Sequence, residues 1–467
     1  MRKRVFIILS LFMIAIIPSA FAADKPNIIV MLVDDVGYGD VGAFIGGGLR
    51  GAPTPRLDQM AREGAIFTSF YAQPTCTPTR ASLMTGRLPI RAGFEFPLFP
   101  GMPMGLHPQE ITIAEVLDPA GYQSAVIGKW HLGDMEISLP HRQGFDEFWG
   151  FLYHCDSYLY PEHPEWDPDS LIGKRMKIKG VMEGKKGSAA KEVEKIDAKR
   201  LETLDRDIAQ RSADYIKAHA NDDEPFFLFT GFAKAHYENF VHPDFVGKSK
   251  SGTFGDSMME LDYHAGMILD AVDEAGIAEN TLVIWFSDNG PSYQTFPDSG
   301  YTPFRGQKGE TWEGGVRMPL LARWLGTIPA GVSRDGIMTT MDLFSTFAAM
   351  GGGTEPTDRP MDGNDQTAFM KGDSDSATNE VYYYQADRLM AIRSGRWKAH
   401  FATSDNWPDG PVQIQTAPLV YDLYTDPGET HSLLFTKTYA AVQANMLMRD
   451  HLSEMKKFPN RVLLPKP

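Results

Sequence analysis

The chain has 467 residues, 43% of them hydrophobic, 11% aromatic and 22% charged, which excludes disorder, collagen and coiled coil and is too long for one small core. Lys and Arg number 45 against 60 Asp and Glu, a formal charge of −15, and an excess of that sign repels phosphate backbones, so no nucleic-acid partner is expected. Two cysteines, Cys76 and Cys155, allow one disulfide at most and exclude a disulfide-stapled scaffold or a cysteine-rich zinc module.

In chain order, Arg2, Lys3 and Arg4 precede an apolar run at residues 5–17, broken only by Ser10, and then Pro18 and Ala20-Phe21-Ala22. That layout predicts a secretory signal peptide over residues 1–22, cleaved after Ala22. The run is 13 residues, short of the roughly 20 that a membrane-spanning helix needs. An uncleaved N-terminal anchor is the competing reading. The mature protein is therefore expected to be exported, periplasmic or secreted, with no stable membrane insertion.

Residues 28–33 form a continuous apolar run rich in β-branched side chains, the pattern of a strand buried on both faces of a parallel or mixed sheet. It stops abruptly at Asp34-Asp35. The same pattern recurs at 124–128, which leads into Lys129-Trp130-His131, at 226–230, which leads toward His236, and at 282–286, which leads into Asp288-Asn289. Between them, Leu261, Ala265, Ile268, Leu269 and Val272 share one helical face, and residues 113–117 suggest another helix. Alternating strands and helices predict an α/β domain. In such sheets the ligand crevice lies beyond the carboxyl ends of the strands, so Asp34, Asp35, Lys129, His131, Asp288 and Asn289 are expected to converge. Any one pair alone reads equally well as a turn or a helix cap.

Residues 174–200 carry ten Lys/Arg and four acidic residues, +6 in an acidic chain. Two readings stand: a solvated loop running into a helix, or a rim that attracts polyanionic substrate. A Gly-, Asp- and Ser-rich stretch at 362–376 marks a boundary. Beyond it, 381–384, 389–392 and 419–424 read as short strands and 439–455 as a final helix. The expected division is a signal peptide at 1–22, a catalytic domain at 23–370, and a smaller α+β domain with a short antiparallel sheet at 371–467.

The most specific text is Cys76-Thr77-Pro78-Thr79-Arg80-Ala81-Ser82-Leu83-Met84-Thr85-Gly86-Arg87. It resembles the Cys-x-Pro-x-Arg motif of the type I, formylglycine-dependent sulfatases of the alkaline phosphatase superfamily, with Thr79 where Ser or Ala is usual. The resemblance continues in order through Pro26-Asn27-Ile28, Asp34-Asp35, Gly37-Tyr38-Gly39-Asp40, Gly128-Lys129-Trp130-His131-Leu132-Gly133, Gly144-Phe145-Asp146, Ser287-Asp288-Asn289-Gly290, Lys308-Gly309, Gly314-Gly315-Val316-Arg317 and Tyr421-Asp422-Leu423-Tyr424. Leu88-Pro89-Ile90-Arg91-Ala92-Gly93 and the text that follows look most like the arylsulfatase A-like branch.

The resemblance implies a large mixed sheet sandwiched by helices, as in alkaline phosphatase and the sulfatases. It implies that a maturase converts Cys76 to formylglycine, whose hydrate supplies the nucleophilic oxygen. It also implies a calcium ion held by Asp34, Asp35, Asp288, Asn289 and the modified Cys76. Hard oxygen donors suit Ca²⁺, and less well Mg²⁺, rather than zinc. Lys129 and Lys308 match the sulfate-gripping lysines, and Arg80 the arginine that steadies the formylglycine and its ion. His131 and His236 are the expected proton carriers, with His242 the competitor for the second role and Cys155 structural. The expected activity is hydrolysis of sulfate esters of carbohydrates or aryl alcohols. The alternatives are a phosphomonoester, phosphodiester or phosphonate hydrolase on the same scaffold, and a non-catalytic binder of sulfated glycans.

Overall fold

The apolar run after Asn27 is buried at every position, 0% exposed from Ile28 to Val33, because both of its faces are covered. Ile28, Val30 and Leu32 pack with helices Cys76–Thr85, Ile113–Leu117 and Thr340–Gly351. Ile29, Met31 and Val33 pack against helices Pro55–Glu63, Ala198–His219 and Gly252–Glu274 on the other side. Each such side chain contributes about 1.5–3 kcal/mol of transfer free energy, and period-2 alternation along the strand assigns it to one layer or the other.

A computed structural model describes residues 25–458; the predicted signal peptide lies outside the described residues. The large sheet contains β1 (Asn27–Val33), β2 (Ala65–Tyr71), β3 (Gln123–Lys129), β4 (Glu147–Phe151), β5 (Val181–Lys185), β6 (Lys191–Glu194), β7 (Phe226–Gly231), β8 (Thr281–Ser287), β9 (Arg317–Arg323), β10 (Val332–Arg334) and β11 (Met338–Thr339). Its 11 strands run in the order β10-β2-β9-β8-β1-β7-β3-β4-β5-β6, with β11 also on β2. β8, β1, β7, β3 and β4 are mutually parallel. β2 and β8 are both antiparallel to β9 and so point the same way. The carboxyl ends of these six strands therefore share one edge, as the residue pattern predicts.

The second sheet has 4 strands in the order β12 (Glu380–Gln385), β13 (Arg388–Ser394), β14 (Trp397–Thr403) and β15 (Gln413–Asp422), all antiparallel. Helix Thr438–Lys457 covers it through Ala440, Ala441 and Ala444. The α/β class, the mixed sheet between helices and the short antiparallel sheet all agree with expectation. One reading is corrected. The basic segment is not simply a loop running into a helix, since part of it folds as the antiparallel strands β5 and β6 at the end of the large sheet. Four of its residues fail to show a strand period because β6 is exposed along its whole length. Among the described residues no helix is long and apolar enough to cross a membrane.

Candidate active site

Cys76 opens the helix Cys76–Thr85, whose residues are all buried. Thr75 before it is extended, Pro78 falls in the first turn where a missing N–H costs nothing, and Gly86 closes the helix in the left-handed conformation at φ 66°. The N-terminus of this helix, an environment that favours negative charge, is aimed at the edge where the parallel strands end.

Around Cys76 stand three carboxylates and three cations, all buried. Ligand atoms of Asp34, Cys76 and Asp288 lie within 4.8 Å of one another. Arg80 donates from Nη2 to Asp34 Oδ1 at 2.6 Å and to Asp288 Oδ2 at 3.4 Å, and from Nη1 to the Lys129 carbonyl at 2.8 Å. Lys129 Nζ contacts Asp34 Oδ2. Lys308 Nζ donates to both oxygens of Asp35 at 2.7 and 2.9 Å. Asn289 Nδ2 donates to Asp35 Oδ1 at 2.8 Å. Thr79 gives its hydroxyl to the Asp288 carbonyl at 2.6 Å and accepts the Gln73 N–H at 2.9 Å, which ties the Cys76–Thr85 helix to the end of β8.

These contacts split the carboxyl groups. Burial alone would push Asp34 up, but the Lys129 and Arg80 charges hold it well below the usual carboxylate range. Asp288 goes the other way, raised by burial and by the Asp34 charge. Two carboxylates this close ask for a cation between them. Burial, with the charge of Asp288 beside it, also pushes the Cys76 thiol up, so the unmodified side chain is a poor nucleophile at neutral pH.

Cys76, Asp35, His131, His236 and Lys308 all line one cavity of about 220 Å³. The Nε2 of His131 lies 2.9 Å from the Leu98 carbonyl. A carbonyl can only accept, so Nε2 carries the proton and the buried, unpartnered Nδ1 keeps its lone pair. Burial and the Lys129 charge hold this ring well below the ordinary histidine range. His236 stacks on His154 with ring centres 5.5 Å apart, and its Nδ1 meets the Tyr237 carbonyl with Asp156 Oδ1 at 3.7 Å. Burial and the Lys308 charge bring it down to about 4. His242 is not in the cavity; its ring faces Arg206 Nη1 at 3.0 Å. Both cysteines are free, and buried Cys155 gives its thiol to the Ala233 carbonyl at 3.4 Å.

All ten predicted site residues thus gather at one place, eight in a carboxylate–cation cluster around Cys76 and the two histidines, His131 and His236, on the wall of the adjoining cavity. Sequence reasoning missed His154 and Asp156, joined by a 2.6 Å contact, and Trp407, which reaches the same cavity from between β14 and β15. His154 and Asp156 follow β4, so reading that short strand would have found them by the same rule. Trp407 carries no local signal at all.

The sulfatase family profile matches residues 26–353, and that of the C-terminal region of aryl-sulfatase matches 376–464. N-acetylgalactosamine-6-sulfatase of Canis lupus familiaris is 35% identical over 456 residues, covering 90% of this chain and 84% of the relative. Arylsulfatase A of Homo sapiens is 35% identical over 446 residues, covering 90% and 86%. The crystal structure of the PsFucS1 sulfatase from Pseudoalteromonas sp. superposes with a TM-score of 0.89 at 36% identity, covering 94% of this chain and 92% of that one. That of Ps i-CgsB in complex with k-i-k-neocarrahexaose gives 0.75 at 25% identity, covering 94% of each. With the ordered motifs, the fold and these relatives in agreement over most of its length, the chain belongs to the sulfatase family and is a sulfuric ester hydrolase.

Proposed function

We propose that this enzyme removes sulfate from carbohydrates, and accepts aryl sulfates, with residue 76 as the nucleophile after a maturase has oxidised Cys76 to formylglycine. The observation that carries the reading is the packing of Cys76 against Asp34 and Asp288 at the floor of a cavity that also presents Lys308, His131 and His236. Ca²⁺, rather than Mg²⁺, is the proposed ion. The residues fit it: Asp34, Asp35, Asp288 and Asn289 offer hard oxygens, and Asn289 Oδ1 is buried without a partner.

When bound, the ion would screen the ester's charge and acidify the attacking oxygen, and the formylglycine hydrate would supply the second hydroxyl that lets the cycle close. The remaining work falls to the chain's own side chains. Lys129 and Lys308 grip the sulfuryl oxygens, a role that suits a compact ammonium. Arg80 holds Asp34, Asp288 and the end of β3 in register. His236 faces the leaving oxygen with Nε2, since Nδ1 is committed to the Tyr237 carbonyl; it acts as the acid from its doubly protonated form, which the negative charge of the entering ester favours by offsetting Lys308. His131 receives a proton at its free Nδ1 when sulfate departs.

The N-acetylgalactosamine-6-sulfatase relatives and the structure solved with k-i-k-neocarrahexaose support a sulfated saccharide as substrate. Export through the 1–22 signal peptide, and a division into catalytic and C-terminal parts at 370/371, belong to the same proposal. The test is turnover of 4-nitrophenyl sulfate against 4-nitrophenyl phosphate by calcium-loaded protein in which the residue 76 peptide is about 18 Da lighter than its thiol form. Sulfate turnover that disappears in Cys76→Ala is expected. Converted, ion-loaded protein that leaves sulfate esters intact, or prefers the phosphate, would refute it.

A further inference from the structure

A second cavity adjoins the reaction cavity. The two share Pro97 and Trp407 as a common wall. They also lie on consecutive residues of the same backbone, Thr75 beside Cys76 and Gly309 beside Lys308. Trp407 is seated so closely on Gly309, at φ +84°, that a Cβ there would meet Cδ2 of the indole at 2.0 Å. The lining of the second cavity is aromatic and amide in character, with Phe94, Phe96, Tyr384, Gln73 and Gln385 prominent.

Two features give this cavity a chemical preference. Gln385 donates from Nε2 to the Gly309 carbonyl at 2.9 Å, but its Oε1 is buried with no partner. An orphaned acceptor of this kind costs about 1–3 kcal/mol, which an entering hydroxyl would recover. The one charged residue in the lining is Glu95, a carboxylate. Its field repels an anion. Sulfate belongs on the Lys308 side of the wall and not on this one.

We infer that this cavity is a subsite for the sugar unit next to the sulfated one, and that it takes an unsulfated pyranose. Trp407 offers an apolar face for the ring, Gln385 Oε1 takes a hydroxyl, and Glu95 excludes a second sulfate by like charge. The sulfatase thereby selects sulfate esters flanked by a neutral residue. This inference rests on the carbohydrate reading above.

The experiment is saturation-transfer NMR on the full-length, calcium-loaded, converted enzyme. The probes are lactose, cellobiose, N-acetyllactosamine and fucosyllactose, with their monosulfated counterparts as competitors. At least one neutral probe is expected to bind in the millimolar range, and Trp407→Ala and Gln385→Leu are each expected to weaken it by about fivefold or more. Trp407→Phe should retain most of the binding, and Glu95→Lys should strengthen the competition of the monosulfated counterparts for the place of the neutral probe. Failure of every neutral probe to bind, binding indifferent to both Trp407→Ala and Gln385→Leu, or unchanged competition in Glu95→Lys would overturn the subsite. Turnover of 4-nitrophenyl sulfate by the same preparations separates the two readings: active enzyme that binds no neutral sugar sinks the subsite alone, and inactive enzyme that binds one sinks the sulfatase mechanism alone.

Discussion

Glu313 is fully buried where the large sheet meets the C-terminal one, and replacing it with Gln tests how the two are held together. Its Oε1 accepts from Lys398 Nζ at 2.9 Å, and its Oε2 accepts from the Tyr71 hydroxyl at 2.6 Å and Arg317 Nη1 at 3.4 Å. Lys398 and His400 both reach Glu429, at 3.3 and 2.6 Å, and Glu429 in turn accepts the Glu313 N–H at 2.7 Å. Burial would raise the Glu313 carboxyl, but the charges of Lys398, Arg317 and Arg393 outweigh it and hold the group at about 2 against an ordinary 4.5. A folded-state value below the unfolded one means stability that is fully present above about pH 4.5 and lost as pH falls toward 2. That separation corresponds to about 3 kcal/mol, which agrees with the roughly 3–5 kcal/mol lost when one partner of a buried ion pair is removed. Glu313→Gln should therefore lower the unfolding free energy by about 3 kcal/mol at pH 7 in urea titrations followed by circular dichroism, with the gap to the native protein closing below pH 4.5. A loss under about 1 kcal/mol, or a gap that widens on acidification, would show that the network is not what docks the second sheet.

Three further outcomes follow from other contacts. Thr79→Ala should cost about 3 kcal/mol in denaturant titrations because it strands the Gln73 N–H and the Asp288 carbonyl, whereas Thr79→Ser, losing only a methyl, should cost about 1 kcal/mol; equal losses would refute the hydroxyl's role. His451 sits under Tyr384, its Nε2 2.7 Å from the phenol oxygen, and burial and the Arg91 charge bring it down to about 4. The native protein should accordingly lose up to about 3 kcal/mol as pH falls from 6.5 to 4, and His451→Phe should show a flatter slope there in thermal melts; parallel slopes would contradict this. Asp156→Asn should lower kcat on 4-nitrophenyl sulfate by about tenfold or more with Cys76 conversion unchanged, since Asp156 orients the His154–His236 stack, and an unaltered kcat would remove that role.

What could be read from the sequence depended on whether the signal was local. The run 28–33 announced a two-faced buried strand because every residue in it had to be apolar, and the polar pair after it had to fall at an edge. The same logic located Lys129, His131, Asp288 and Asn289, and the resemblance added Cys76, Arg80 and Lys308, whose placement depends on partners from other strands, as far as 273 residues away. The helix at Gly252–Glu274 was visible through its apolar stripe, although its ends were not. β6 escaped notice because an exposed edge strand imposes no burial period on its residues. Trp407 escaped for a different reason. Its importance comes from a contact with Gly309 made only when the second sheet docks, and no periodicity encodes a contact between distant loops.

The buried charges give the proposed preference for sulfate over phosphate a physical basis. Asp34 meets Arg80 and Lys129, Asp288 meets Arg80, and Asp35 meets Lys308, so three carboxylates face three cations and the cluster is close to neutral, as a dry interior requires. Among the described residues no further lysine or arginine lines the cavity. The charge of the proposed Ca²⁺ would then have to be matched by the ester and the proposed nucleophile together, and a sulfate monoester supplies one negative charge where a phosphate monoester supplies two. In a cavity with no spare cation the second charge has no partner, and an unpaired charge in a desolvated site costs several kcal/mol. The same bookkeeping constrains the neighbouring cavity, where Glu95 leaves room for a neutral sugar but not for another anion. Discrimination at both places rests on how few cations the chain has placed there.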